Sequence, residues 1–326
     1  MVISTPSRCG EPALPEAEIH IAAIDVGSNG IRLAIAELTD ESRPGFRIIR
    51  SERAAVRLGE DAFSIGRLTP KTIDRTVTTL QSFWRIMDDH HVTSYRAVAT
   101  SAARECQNRE ELVNAALKTA RVRIQIIGGP EEADLLFRAV ATQFPIGRAS
   151  ALMIDMGGGS VELTVARNGH AVGAETLPLG PVRLLQKLNA NSQSEKDAAS
   201  IIENYAQPVC AFVEAELSNS VPPGFAFGAG GNIESLAKLR SLILGKSNTG
   251  KLKITDLQKI TPVLLSMSPI ERLNEFDLRP DRADVIAIAA VVLHMIMGQA
   301  AVPRLMVPGL GIKDGILAQL ASKSHS

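Results

Sequence analysis

The chain has 326 residues, 45% hydrophobic and 21% charged, with thirty-five Lys+Arg against thirty-five Asp+Glu. That length allows one large domain or two ordinary ones with sizeable cores. Zero net charge argues against a nucleic-acid coat or a polybasic membrane surface, and 4% aromatic residues against a base- or sugar-stacking platform.

Residues 1–18 carry no hydrophobic stretch of the kind a secretory signal needs, and their Pro, Ser and Glu content reads as a loose tail. Short β-branched runs follow at Ile21–Val26, Ile31–Glu37, Phe46–Arg50, Ala97–Thr100 and Val122–Ile127. Between them, Lys71–Asp88 repeats apolar residues at helical spacing after a Thr69-Pro70 start, and a shorter helix is expected near Arg109–Thr119. Strands return at Ala151–Asp155, Val161–Arg167 and Ala171–Leu177. The remainder reads as mostly helical, with one strand near Gly224–Phe227. The apolar stretch Val285–Met297 is too short to span a bilayer. Cys9, Cys106 and Cys210 are odd in number, far apart and free of a CxxC pattern, so they read as reduced thiols of a cytoplasmic protein.

The most informative feature is an internal echo. IDVGSNGIRLAIA (Ile24–Ala36) matches IDMGGGSVELTVA (Ile154–Ala166) at a constant offset, with Asp25 and Asp155 in the same place. Each copy is a strand, Asp-x-Gly, a turn of small residues and a second strand. The repeat implies an α/β protein of two related domains, each presenting one turn to a shared cleft.

Turns rich in Gly and Ser let backbone N–H groups converge on an anion without Cβ obstruction. Gly27, Ser28, Asn29 and Gly30 form one such turn; Gly157, Gly158, Gly159 and Ser160 form the other. Asp25 and Asp155 repel phosphate but suit Mg²⁺ or its waters. The alternative is a pair of tight hairpins with an Asp in each, a reading that two matched copies make much weaker. In IIGGPEEADLLFRAV, Glu131 and Glu132 fall in a first helical turn, where the dipole favours carboxylates without any catalysis. Helical geometry places Glu132 on the flank of the apolar stripe and Glu131 nearly opposite, so only Glu132 can look into a cleft edge.

Arg104 follows a strand end and could clamp a phosphate, or simply open a helix at the surface. Arg43, Arg47, Arg50, Arg53 and Arg57 crowd one β-rich segment, as a polyanion track or, on the plainer view, a solvated edge row. Gly228, Gly230 and Gly231 precede a helix over Asn232–Arg240, a nucleotide or anion site or a cap.

AAIDVGSNGIRL, VRLGE, ATSAAREC, IIGGPEEADLLF, MIDMGGGSVEL, LPLGPVRL, GAGGNIESLAKL and PGLGIKDGIL occur in an order and spacing that resembles the exopolyphosphatase / guanosine pentaphosphate phosphohydrolase (Ppx/GppA) family of the actin-like ATPase superfamily. The resemblance implies two ribonuclease-H-like domains, each with a mixed β-sheet, and an active-site cleft between them. Residues 19–130 plus 308–322 would form domain I and 131–307 domain II, with the final helix folding back onto domain I.

By the same resemblance Glu132 is the general base and Arg104 faces the phosphate. Asp25, Asp155 and Glu162 organise Mg²⁺ or another divalent cation. Gly27, Ser28, Asn29, Gly157, Gly158, Gly159, Ser160, Gly230 and Gly231 contact phosphate. A homodimer is suggested by analogy alone.

Three positions depart from the family pattern: Gly30 where Ser or Ala is usual, Asn232 where Thr is usual, and Gly311-Ile312-Lys313 in place of Gly-Leu-Arg. The expected reaction is hydrolysis of the terminal phosphoanhydride of inorganic polyphosphate. Guanosine pentaphosphate is the alternative substrate, and a non-catalytic phosphate-ligand sensor and a sugar- or acetate-kinase are the alternatives of other classes.

Overall fold

The computed structural model describes residues 18–40, 45–144, 146–147, 150–191, 193–217, 225–247 and 249–324. Residues 1–17 of the tail expected over 1–18, Cys9 among them, and Arg43 and Gly224 lie outside them.

The first half contains β1 (His20–Gly27), β2 (Gly30–Leu38), β3 (Phe46–Ala54), α1 (Leu58–Ser64), α2 (Pro70–Asp89), β4 (Val92–Ala99), α3 (Ser101–Glu105), α4 (Arg109–Ala120), β5 (Ile124–Ile126) and α5 (Gly129–Gln143). Thr69 caps α2 by accepting from the Thr72 N–H, and Pro70 supplies the first helical position. The strands order β3-β2-β1-β4-β5, with β1, β2 and β3 antiparallel and β1, β4 and β5 parallel.

The second half contains β6 (Ala151–Met156), β7 (Val161–Arg167), β8 (His170–Leu177), α6 (Pro181–Ala190), α7 (Ala198–Glu203), α8 (Ala206–Leu217), β9 (Phe225–Ala229), α9 (Gly231–Leu244), β10 (Lys251–Lys253), α10 (Ile254–Ser266), α11 (Pro269–Phe276), α12 (Pro280–Ala283), α13 (Ile286–Gln299), β11 (Arg304–Met306) and α14 (Ile312–Ser324). Its sheet runs β10-β11-β9-β6-β7-β8. Leaving out β10, that is the first sheet's order and sense again, so the sequence echo marks a duplicated ribonuclease-H-like topology. The fold is α/β with two mixed sheets.

The sequence reading missed α1, β10 and β11. Each strand is three residues long, below the length at which alternation is readable. β3 also runs on past Arg50 to Ala54.

Alternate side chains of the first sheet build two cores. Ala22, Ile24, Leu33 and Ile35 pack on Val77, Leu80 and Phe83 of α2 and on Leu112 of α4. Ile21, Ala23, Ala34 and Ala36 pack on the other face, against Ile316, Leu317 and Ala321 of α14 and Leu135 of α5. Leu136 and Val140 of α5 instead join Met153, Ala166 and Phe227 of the second sheet. One helix therefore serves both halves. Its approach to α14 is so close that a Cβ on Gly315 would lie 1.9 Å from the Leu135 carbonyl oxygen. A Cβ on Gly129, at its start, would lie 2.1 Å from Thr176 Oγ1 of β8.

Candidate active site

The two duplicated turns face each other. A Cβ on Gly158 would stand 3.0 Å from the Ser28 Cβ and 3.3 Å from the Asn29 Cβ, so only glycine admits this approach without displacing the opposite loop. Gly27–Gly30, Gly157–Ser160, Gly230, Gly231 and the carboxylates Asp25, Asp155, Glu132 and Glu162 line one cleft of about 90 Å³, room for several waters. Gly230 has φ +91°, and a Cβ there would come within 2.5 Å of the Met156 carbonyl oxygen, which holds the start of α9 against the end of β6.

Each carboxylate is fixed by its element. Asp25 on β1 stands opposite Arg32 on β2, whose Nη1 donates to Asp25 Oδ2 at 2.9 Å. Asp155 on β6 stands opposite Glu162 on β7, and Ser160 Oγ donates to Glu162 Oε1 at 2.5 Å. Glu132 sits in the first turn of α5, only 4% exposed, where it accepts from Arg104 Nη1. Glu131, one residue earlier, turns outward to pair with Arg96, as the helical geometry requires.

Burial pushes the Glu132 carboxyl up to about 7; the Arg104 guanidinium opposes that rise, and Asp155 and Asp25 add to it. Burial, with Glu162 and Asp25 beside it, lifts Asp155 to about 7. Burial and the neighbouring Glu132 lift Glu162 to about 8. A carboxyl poised near neutrality can hold a proton and release it, as a general base must.

Two expectations change. Arg104 does not stand free in the cleft wall: its Nη1 donates to the Ile127 carbonyl oxygen at 2.7 Å as well as to Glu132. Its place on α3 and its two acceptors make it the support of Glu132. Nor do Arg53 and Arg57 belong to a solvated row or an open track. Arg53 pairs with Asp281 and donates to the Asn29 carbonyl oxygen, while Arg57 pairs with Asp284. Together with the Asn29 Nδ2 donation to the Asp281 carbonyl oxygen at 2.8 Å, they tie the two halves at one rim of the cleft. Arg47 and Arg50 do lie along the β3 edge, paired with Glu37 and Glu52.

Among the described residues no three Asp, Glu, His or Cys side chains converge closely enough to hold a metal by themselves. Asp25, Asp155 and Glu162 are therefore not a closed cage. Their chemistry nonetheless fits Mg²⁺, which binds through one or two carboxylates and completes its shell with water and phosphate oxygens. Like-charged carboxylates pushed up to about 7 and 8 are what a cation would relieve.

Sequence reasoning gave no site role to Arg32, Arg282 or Ser101, nor to Lys313, which it noted only as a departure from the family pattern; all four line the cleft. Arg32 was within reach, since it occupies in the first copy the position of Glu162 in the second. Arg282 donates to Asn232 Oδ1 from fifty residues away, and no local pattern announces that.

The Ppx/GppA phosphatase family matches residues 34–324. The chain belongs to that family. It is 29% identical to exopolyphosphatase 2 of Mycobacterium tuberculosis over 93% of this chain and 98% of that one. It is 23% identical to exopolyphosphatase 1 of Mycobacterium bovis over 92% and 87%. Among solved structures, an exopolyphosphatase from Cytophaga hutchinsonii superposes with a TM-score of 0.83 at 24% identity, covering 93% and 98% of the two chains. The Aquifex aeolicus Ppx/GppA family member gives 0.73 at 24% identity over 95% and 99%. Over more than nine-tenths of its length, both sheets included, the chain thus has the fold of a Ppx/GppA protein.

Proposed function

We propose that this Ppx/GppA protein is an exopolyphosphatase that hydrolyses the terminal phosphoanhydride of inorganic polyphosphate and releases orthophosphate. The observation that carries this reading is the confrontation of the two Gly/Ser turns across a cleft that also holds Glu132. Similarity to exopolyphosphatases along nearly the full length of the chain supports the choice of substrate.

The amides of Ser28, Asn29 and Gly157–Ser160, with the Ser28 hydroxyl, grip the end phosphate and its neighbour, with Gly27, Gly230 and Gly231 giving the backbone room to approach. Glu132 takes a proton from a water aligned with the P–O bond to be broken. The water oxygen attacks the terminal phosphorus, the bridging P–O bond breaks, and the shortened chain leaves as an oxyanion. Arg104 holds Glu132 in place. Asp25 and Asp155, with Glu162 behind them, would hold a Mg²⁺ that neutralises phosphate oxygens. A positioned base supplies about 10²–10⁴-fold in rate.

Phosphate release from polyphosphates of defined length, run beside guanosine pentaphosphate and a chelator-treated control, tests this directly. The expected result is a higher kcat/KM on polyphosphate that falls away without the divalent cation. Release confined to the nucleotide would overturn the substrate assignment, and binding without release would overturn catalysis.

A further inference from the structure

Apart from the ties made by Arg53 and Arg57, another arginine side chain joins both halves of the molecule. Arg183 lies in the first turn of α6, and its guanidinium reaches the second turn and the first half together. Nε donates to the Gly159 carbonyl oxygen at 2.6 Å. Nη2 donates to Ser101 Oγ at 3.3 Å and to Glu105 Oε1, both on α3. The guanidinium carbon lies 4.1 Å from the centre of the Phe63 ring on α1, a cation–π distance.

The consequence for the turn follows from peptide geometry. In a trans peptide the carbonyl of one residue and the N–H of the next point in opposite directions. The Gly158 carbonyl accepts from the Val182 N–H at 2.9 Å and the Arg183 N–H at 3.2 Å, and the Gly159 carbonyl accepts from the Arg183 side chain. With both carbonyls turned towards α6, the N–H groups of Gly159 and Ser160 lie on the opposite edge of those planes. Anchoring the Gly158 carbonyl needs only α6. Anchoring the Gly159 carbonyl needs the Arg183 guanidinium, which Ser101, Glu105 and Phe63 hold from the other half.

We propose that Arg183 is a positioning residue that makes the anion-binding orientation of the Gly159–Ser160 peptide conditional on closure of the two halves. This inference rests on the exopolyphosphatase reading for its kinetic arm alone. α3 is the shared lever. Its Glu105 grips Arg183 while the residue before it, Arg104, holds Glu132, so one short helix registers closure at the phosphate turn and at the base. Ser101 Oγ, which donates to Glu105 Oε1 at 3.0 Å, braces the grip.

The test uses the full chain with Arg183→Gln, Arg183→Lys, Glu105→Gln and the Arg183→Gln/Glu105→Gln double variant. Steady-state phosphate release from tripolyphosphate gives kcat and KM separately, and small-angle X-ray scattering of the substrate-free proteins reads the spread between the halves. Arg183→Gln is expected to lower kcat by tenfold or more with KM changed less than threefold, and Arg183→Lys to recover part of the loss. Glu105→Gln should lower kcat in the same direction, and the double variant should be no slower than Arg183→Gln alone. Arg183→Gln should also broaden the scattering-derived distance distribution.

A wild-type kcat in Arg183→Gln, additive losses in the double variant, or an unchanged distribution would each overturn the proposal. A wild-type protein that releases no phosphate from any polyphosphate would instead sink the exopolyphosphatase reading, and the scattering comparison would still decide whether Arg183 holds the halves together.

Discussion

The two copies of the duplicated hairpin share a backbone and differ in charge. In the first, Asp25 faces Arg32 across the β1–β2 ladder and the pair is hydrogen-bonded. In the second, the corresponding positions are Asp155 and Glu162, two carboxylates facing each other across β6 and β7. The ladder also closes differently: the first hairpin pairs up to Gly27 and Gly30, whereas the second stops at Met156 and Val161 and leaves four residues free of it. One copy thus pairs its carboxylate with an arginine and turns tightly. The other sets two carboxylates against each other and has a wider loop of amides, so a duplicated backbone has diverged in charge and in turn while both copies line the same cleft.

The largest effect expected in breaking this comparison comes from the residue that belongs to neither copy. Glu132→Gln should lower kcat at least about a hundredfold, about 2.7 kcal/mol in the barrier, while the melting temperature is unchanged or higher. Phosphate release together with a thermal scan checks it, and retained turnover would point to a different base.

Next in size, Arg32→Gln would unbalance the first copy by leaving the buried Asp25 without its charged partner. Arg32 is itself one-third exposed, which moderates the cost. A loss of about 2 kcal/mol in unfolding free energy is expected from urea titration.

The smallest effect should come from Glu162→Gln, which relieves the second copy. Asp155 and Glu162 have folded pKa values raised to about 7 and 8, above the unfolded carboxylate range. Their contribution to stability is therefore fully present below about pH 4 and is lost as pH rises through 7 to 8. The metal-free protein should become steadily less stable between pH 5 and pH 8 by this contribution, and Glu162→Gln should flatten that slope while lowering turnover. Melting curves across the pH range would show it; a slope identical in both proteins would mean that Glu162 is not the strained partner.

The duplication was legible because the echo repeats sequence as well as shape: matched strands flank matched turns, and the aspartates keep their offset. Glu132 was legible because a helix fixes which of two adjacent carboxylates faces the apolar side. What stayed hidden depends on partners far along the chain. Arg53 finds Asp281 and Arg57 finds Asp284 more than two hundred residues later, and Arg183 finds Glu105 seventy-eight residues earlier. Within their own segments these arginines look like ordinary surface charges. The role of Arg104 shifted for a related reason, since a strand-end arginine in sequence gives no sign that a carboxylate and a carbonyl oxygen already occupy it.

The helix that carries Glu132 makes two close approaches through glycine, Gly315 of α14 against its Leu135 carbonyl and its own Gly129 against Thr176 of β8. A mason would call it a keystone, seated with no mortar gap at those two points. Any side chain at Gly315 would meet backbone, so drift at that position would be read in the stability of the whole molecule, although the residue never needs to meet a phosphate.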